Sequence, residues 1–341
     1  MTERRGVLTA GTLCVDFNKS IARWPDEDTS NEVLAIDRQG GGSGFNMAID
    51  LSRLDPSFPV EAMGVVGDDE LGRFIAGELD AHGVKHGRLQ ALPGGMTQSV
   101  DAFNVLENGR RTHFYYQGVA ADLTPDHFDF SGVSARILHL GLPGAHKRMD
   151  RAWRDEPNGW VAVLRKARAT GLTTNLELMT TGAERLAGLG RPCLPLLDML
   201  IVNDFEVGAL AGRATRGPDG TTDVAALRLA VEELLALGVK SWVVAHFPEG
   251  AVAAGRDGTR TALGSVALPA DAVVGANGAG DAFAAGTLYG LHEAWPIAQA
   301  LRLGHAAAAA SMRAVSTTAG VAPVAECLAI ADKWGLRPIA A

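Results

Sequence analysis

The segment Gly275-Ala276-Asn277-Gly278-Ala279-Gly280-Asp281 places three glycines within six residues and ends on a carboxylate. It runs directly into the apolar stretch Ala282 to Leu291, which reads as a helix. Glycines let a backbone approach a ligand closely, and a helix start offers free N–H groups at the positive end of its dipole. The N–H groups of Asn277, Gly278, Ala279 and Gly280 therefore form a candidate anion hole for a phosphate. Asp281 sits where phosphate oxygens would be repelled, unless its task is to take a proton from the hydroxyl that attacks the phosphorus. Asp is also a favoured N-cap, and the segment alone permits either reading.

Two further segments point to a site rather than a cap. Gly40-Gly41-Gly42-Ser43-Gly44-Phe45-Asn46 is a second glycine loop opening a second apolar run, with an amide at its start. Two such loops suggest two ligands that meet. Between them, Leu200-Ile201-Val202-Asn203-Asp204-Phe205-Glu206 is a buried-strand pattern that ends in Asn203 and Glu206, a spacing suited to water-mediated magnesium binding beside phosphates.

These segments, in this order, resemble the ribokinase-like (PfkB) carbohydrate kinase family, and the resemblance covers nearly the whole chain. Gly41, Gly42 and Asn46 match the N-terminal signature, Gly278, Ala279, Gly280 and Asp281 the C-terminal one, and Asn203 and Glu206 the family's Asn-x-x-Glu. Gly64 to Gly72 and the early Asp16 are lesser matches. The resemblance implies a three-layer α/β/α fold with a mostly parallel central sheet and a small β-sheet lid. It implies ATP as co-substrate with Mg²⁺, Asp281 as the base, and Gly278, Ala279 and Gly280 beside it at the transferred phosphoryl group. Asp16, Gly41, Gly42 and Asn46 would hold the acceptor's hydroxyls. Asn203 and Glu206 would organise magnesium through water, and His246, Gly250 and Asn277 would complete the nucleotide side.

The chain departs from the family pattern twice, both times on the nucleotide side. Gly275 and Ala276 replace the Asp and Thr that open the C-terminal signature, which removes the Asp that helps hold an activating monovalent cation and argues against potassium dependence. After the strand Ser241 to Ala245 the family's Thr-x-Gly-x-x-Gly is replaced by Ala245-His246-Phe247-Pro248-Glu249-Gly250, so only the last glycine survives. Altered nucleotide recognition is the expectation.

Composition sets the outer bounds. The 341 residues are 47% hydrophobic and 21% charged, as in a globular protein, and read as one ribokinase-like domain over 1–341. A net charge of −8 gives no general attraction to nucleic acid or to an anionic membrane. Cys14, Cys193 and Cys327 lack metal-ligand spacing and read as buried thiols in a reducing compartment. No apolar stretch reaches the ~18 residues of a spanning helix, and no convincing signal peptide is present, so a cytoplasmic protein is expected. The Gly40 to Gly44 loop lacks the G-x-G-x-x-G spacing of a dinucleotide fold, which sets a dehydrogenase aside.

The elements that must position these residues alternate. Val60–Val65, Ile137–Leu142, Leu172–Leu176, Met199–Val202 and Ser241–Ala245 read as strands; Gly72–His82, Trp160–Thr170 and Ala225–Leu237 read as helices. Such alternation predicts βαβ units with ligands at the carboxyl ends of the strands. A strand is also expected over Val7 to Val15. Residues 12–39 and 97–118 break the alternation as short strands, the second pair turning at Gly109, and correspond to the family's lid. A lid that excludes water and exposes one apolar face implies a homodimer through that face.

Other residues carry blander readings. His139 lies in an apolar strand and reads as a core or rim histidine, His305 as helix packing near the adenine at best. Asn175 and Glu177 end a strand beside the site and could touch substrate or magnesium. The Arg148 to Arg154 cluster reads as a solvated face and Gly212 to Asp223 as a surface loop. Three functions remain open: a sugar kinase acting on a hydroxymethyl group, a nucleoside kinase whose lid aromatics Phe103, Phe114, Tyr115 and Tyr116 stack a base, and a sugar-binding protein with a degraded nucleotide site.

Overall fold

Strand periodicity organises the molecule into layers. A computed structural model describes residues 4–339. The large sheet contains β1 (Val7–Gly11), β4 (Val60–Gly67), β5 (Lys85–Leu92), β8 (Ile137–Gly141), β9 (Thr173–Leu176), β10 (Met199–Asn203), β11 (Trp242–Phe247), β12 (Gly250–Gly255) and β13 (Arg260–Gly264). Their spatial order is β13-β12-β11-β10-β9-β8-β1-β4-β5. The seven strands from β5 to β11 are parallel, and β12 and β13 add antiparallel at one edge. Parallel strands covered on both faces read as continuous apolar runs, which is why Ile137 to Leu140 and Met199 to Val202 contain so little polarity.

Alternate residues of each strand enter different cores. Val7, Ile137, Met199, Ile201 and Val244 pack with α1 (Ser43–Leu54), α2 (Glu70–Ala81), α7 (Ala279–His292), α8 (Ile297–Ser311) and α9 (Val324–Trp334). Leu8, Leu138, Leu140, Leu200, Val202 and Val243 pack on the opposite face with α3 (Gly159–Ala169), α4 (Ala183–Gly190), α5 (Asp204–Ala211) and α6 (Val224–Ala236). The result is the expected three layers. α7 is apolar almost all round because it lies between the sheet, α1 and α8, and ten of its residues are buried.

A second sheet stands apart, formed by β2 (Cys14–Ile21), β3 (Val33–Gly41), β6 (Ser99–Val105) and β7 (Arg111–Tyr116) in the order β3-β2-β6-β7. The expected single strand from Val7 to Val15 is therefore two. The chain leaves the large sheet after Gly11, whose φ of 113° redirects it, and Thr12 donates its N–H to Gly141 O before β2 begins. Asp16 consequently belongs to the small sheet. β6 and β7 form the expected hairpin, with Gly109 at φ 67° in its turn. Among the described residues no helix is long and apolar enough to cross a membrane.

Candidate active site

The carboxyl ends of the parallel strands converge with the starts of two helices. Helix α1 begins at the second glycine loop: its N-cap Gly42 has φ 87°, and a Cβ there would lie 2.7 Å from Thr12 O, so only glycine fits. Helix α7 begins the same way. Its N-cap Gly278 has φ 73°, and a Cβ would meet Thr317 O at 2.2 Å.

This start bears on the cap reading of Asp281. The helix begins at Ala279, earlier than the sequence suggested, so Asp281 lies inside the first turn, and no side chain caps the helix. Instead Asp281 Oδ2 accepts a hydrogen bond from Asn46 Nδ2 at 2.7 Å, joining the two glycine-loop helices side chain to side chain. The cap reading is set aside. The proposed anion hole needs one amendment: Ala279 N–H is turned to Ala276 O at 3.4 Å, while Ala282 N–H closes the first helical bond to Gly278 O.

Asp16 approaches from the small sheet, its carboxyl lying against the backbone of Gly41, where a Cβ would be 2.3 Å from Oδ2. The hydrogen bond it receives, from Cys14 Sγ at 3.5 Å, comes from a weak donor, so most of its accepting capacity is free for hydroxyl donors. Burial, and then repulsion from Asp281, raise its pKa to about 6 despite that bond.

Asn203 and Glu206 prove to be a capping box at the start of α5. Asn203 Oδ1 accepts from Glu206 N at 2.9 Å, and Glu206 Oε2 accepts from Asn203 N at 3.1 Å. Thr180 Oγ1 also donates to Glu206 Oε1 at 2.7 Å. Both Glu206 oxygens are thus engaged. Burial nevertheless raises its pKa to about 7, outweighing those hydrogen bonds.

Sequence reasoning left Glu177 undecided, and the structure brings it into the centre. Glu177, Glu206 and Asp281 line one cavity of about 200 Å³ together with Asn203, His246 and Gly280. Burial raises the pKa of Glu177 and of Asp281 to about 8, and the Glu177 charge adds to the rise at Asp281. His139, entirely buried, has Nε2 3.0 Å from Glu177 Oε2, and its Nδ1 accepts from Asn175 Nδ2 at 2.9 Å. Burial keeps its ring neutral, with a pKa near 4.

Of the nucleotide-side candidates, Asn203 and His246 line a neighbouring, more apolar cavity of about 370 Å³, whereas Glu206, Gly250 and Asn277 are not on its walls. His246, Phe247, Val266, Leu268, Ala276 and Phe283 are among its walls. The His246 ring packs on Phe283 at 5.0 Å between centroids and lies close to Gly280, while Phe283 packs on His305 at 4.8 Å. Gly250 pairs with Phe247 at the β11–β12 turn, and a Cβ there would lie 2.6 Å from Leu263 O. Asn277 accepts a long bond from Ser311 Oγ at 3.4 Å. Gly275 donates its N–H to Met312 O, and with Ala276 it offers no side-chain oxygen for a cation. Arg216 and Arg337 also border this cavity. Sequence reasoning missed both, since Arg216 sits in a loop without a motif and is drawn in by Asp204 at 2.6 Å.

Register corrects the expectation for the lid aromatics. Asp16 lies beside Gln39 and Val100, and Val100 beside Tyr115; Phe17, Asp101 and Phe114 form the next row and face the other way. Phe103, Phe114 and Tyr116 are therefore on the face away from Asp16, where Phe103 and Phe114 cluster with Trp24. Only Tyr115 of the four shares the Asp16 face. The Arg148 to Arg154 cluster is exposed, with Arg148 paired to Asp122 and Arg154 to Asp126, as a solvated face should be.

Residues 6–324 match the model of the pfkB family carbohydrate kinases. The chain belongs to this family. It is 25% identical to a 5-dehydro-2-deoxygluconokinase of Geobacillus thermodenitrificans over 310 residues, 88% of this chain and 85% of that one. It is equally 25% identical to ketohexokinase of Mus musculus over 306 residues, covering 89% and 94%. A solved structure of Arabidopsis thaliana ribokinase, complexed with ribose and ATP, superposes with a TM-score of 0.78 at 19% identity over 96% of this chain and 98% of that one. The pfkB chain is thus a sugar kinase by family, with the ribokinase-like fold.

Proposed function

We propose that this sugar kinase transfers the γ-phosphoryl group of ATP to a hydroxymethyl group of a sugar or sugar-like acceptor, with Asp281 as the base. The observation that carries the assignment is the Asp281–Asn46 hydrogen bond at the start of α7, which ties the carboxylate to the acceptor loop instead of to its own helix end. Asp281 removes the hydroxyl proton as the acceptor oxygen attacks phosphorus, and the amides at the α7 start face the charge that develops on the phosphoryl oxygens. Asp16 and Asn46, with the backbone at Gly41 and Gly42, orient the acceptor.

Magnesium fits the donor set. Glu177, Glu206 and Asp281 share a cavity with no Lys or Arg on its walls. Among the described residues, no three His, Cys, Asp or Glu side chains can hold a metal unaided, and Glu206 is already hydrogen bonded. Asn203 and Glu206 would therefore act through water while nucleotide phosphates complete the shell. The ion supplies charge neutralisation at the phosphates. No monovalent cation is given a role, because Gly275 and Ala276 offer no side-chain oxygen to hold it.

The small sheet would close over the acceptor as a lid, with Gln39 Oε1 already accepting from Thr317 N at 3.1 Å beside the α7 start. With three of four lid aromatics on the far face, base stacking loses its platform and the sugar reading is preferred. That far face, bearing exposed Trp24, Ile36 and Phe114, is proposed to meet a second copy of the chain.

Nucleotide consumption with magnesium across a panel of sugars, sugar acids and nucleosides, with Asp281→Asn as the control, tests the assignment. Turnover should fall by ~10³-fold or more in the variant while acceptor affinity holds. A variant that turns over normally would leave Asp281 without a catalytic part.

A further inference from the structure

The loop between α5 and α6 carries no sequence motif, yet it is built onto the nucleotide side of the site. We propose that Arg216 of this loop binds the α- and β-phosphates of the nucleotide and makes the cavity selective for nucleosides that carry a diphosphate. The proposal deepens the kinase reading and rests on its placing of the transferred phosphoryl group beside Asp281.

Four hydrogen bonds from the loop converge on Asp204, the first residue of α5. Arg216 Nε and Nη2 donate to its two carboxyl oxygens at 2.9 and 2.6 Å, Thr222 Oγ1 donates to Oδ2 at 2.6 Å, and Thr215 Oγ1 donates to its carbonyl at 2.8 Å. The loop is itself a narrow hairpin: Arg216 and Thr222 form a β-bridge, and Gly217 donates its N–H to Thr221 O at 2.8 Å. It lies so close to α5 that a Cβ on Gly208 would be 2.4 Å from Thr215 Oγ1. Two parallel bonds to one carboxylate fix the plane of a guanidinium, and the Phe205 ring, 5.7 Å from its centre, backs it.

Asp204 is buried and needs a cation, which accounts for the pair. The pair does not use up the guanidinium. Of its five N–H groups only two go to Asp204; Nη1 makes no hydrogen bond with the described residues, and the side chain is 43% exposed. A held guanidinium with a free edge on a cavity wall is a ready phosphate contact.

The two cavities of the site fix where that edge lies. Asn203, His246 and Gly280 line both the cavity of about 200 Å³ that holds Asp281 and the apolar one of about 370 Å³. With the γ-phosphoryl group at Asp281, the other phosphates cross at these three residues, and the base lies farther on, among Val266, Leu268, Phe283 and Met312. Arg216 belongs to the crossing, because its anchor Asp204 follows Asn203 directly. Arg337, the other arginine on these walls, is held at the far end by the bond from its N–H to Ser265 O, just after β13. Burial keeps the rings of His246 and His305 neutral, and the segment Ala245 to Gly250 contains no hydroxyl. The diphosphate therefore has one protein cation at hand.

Calorimetric titration with ADP and with adenosine, magnesium present, tests this on the wild type, Arg216→Gln and the double variant Asp204→Asn/Arg216→Gln. Arg216→Gln should weaken ADP by ~10- to 100-fold, the worth of a charge-assisted bond, and leave adenosine unchanged. The double variant removes the unpaired carboxylate that the single one leaves behind, so it separates contact from charge balance and should remain weak for ADP alone. Recovery of wild-type ADP affinity in the double variant would make Arg216 no more than the counter-ion of Asp204 and overturn the proposal. Unchanged ADP affinity in Arg216→Gln would do the same, as would equal losses for ADP and adenosine in the double variant, the mark of a structural prop. A wild type that binds no ADP would end the nucleotide reading and this inference with it. The expected pattern in a protein that phosphorylates no acceptor would instead leave Arg216 in place and sink the kinase reading.

Discussion

Asp50 offers the sharpest physical prediction. It lies on α1 one turn beyond Asn46, is wholly buried, and neither of its oxygens has a hydrogen-bond partner. Burial first, and then repulsion from Asp281, raise its pKa well above the ordinary value, with Arg53 opposing the shift. A carboxyl raised in this way stays protonated in the folded chain while the unfolded chain releases its proton above about pH 4. The sign follows: below the unfolded pKa the group costs no pH-dependent stability, and as pH rises the folded state loses ground. One proton retained by the folded state corresponds to ~1.4 kcal/mol per pH unit, so a carboxyl that keeps its proton through pH 7 gives at most about 2.7 kcal/mol between pH 5 and pH 7. Asp50→Asn keeps the shape and removes the proton, so its stability advantage should grow by up to that amount over the same window. With roughly 0.7 kcal/mol per kelvin of unfolding entropy for a chain of this length, this is at most about 4 °C in Tm. Thermal unfolding of both proteins from pH 5 to pH 7, followed by circular dichroism, reads the difference directly. Asp16, Glu177, Glu206 and Asp281 titrate in both proteins and largely cancel in it. Parallel curves would mean that Asp50 is ionised in the fold and that its burial is compensated by a partner the geometry does not contain.

Two further outcomes bear on function. An acceptor carrying a carboxylate or phosphate would enter a pocket already holding Asp16 and Asp281; one added charge about 6 Å from a carboxylate at an effective dielectric near 20 costs ~3 kcal/mol, so neutral sugars should be preferred by roughly 100-fold in kcat/KM over acids of the same carbon skeleton. Equal use of both would show that a cation reaches the acceptor on closure. At the lid, Ile36→Lys should shift sedimentation at micromolar concentration from dimer to monomer, since it places a charge in the exposed apolar face, and a wild type that sediments as a monomer would remove the dimer from the proposal.

The sequence made some of this plain and hid the rest for physical reasons. Glycines at Gly42 and Gly278 announce helix starts that no other residue could make, so the site's backbone was legible locally. The alternation of apolar runs likewise defined the layers, because strands buried on both faces take few polar residues. Glu177 and Asp50 were not legible in this way. Each is a single carboxyl whose meaning comes from what the fold brings against it, β9 beside the start of α7 in one case and α1 beneath the sheet in the other. The faces of the lid aromatics were also hidden, since they depend on a register set by pairing β6 in parallel with β2. Asn203 and Glu206 show the reverse: a spacing read as metal chemistry also satisfies a helix cap, and one pair of side chains can meet both needs.

The bond between Asn46 and Asp281 spans 235 positions of the chain. On a ribosome adding 5–20 residues per second, the acceptor loop emerges on the order of 10 to 50 s before the carboxylate it must meet. Half-made chains can therefore present a sugar cradle and most of the sheet without any means of activating a hydroxyl. α7, which carries the carboxylate, packs against α1 from the opposite end of the sequence. With Asp281 as the proposed base, competence would arrive in one late step, and a chain ending before Asp281 would consume no nucleotide.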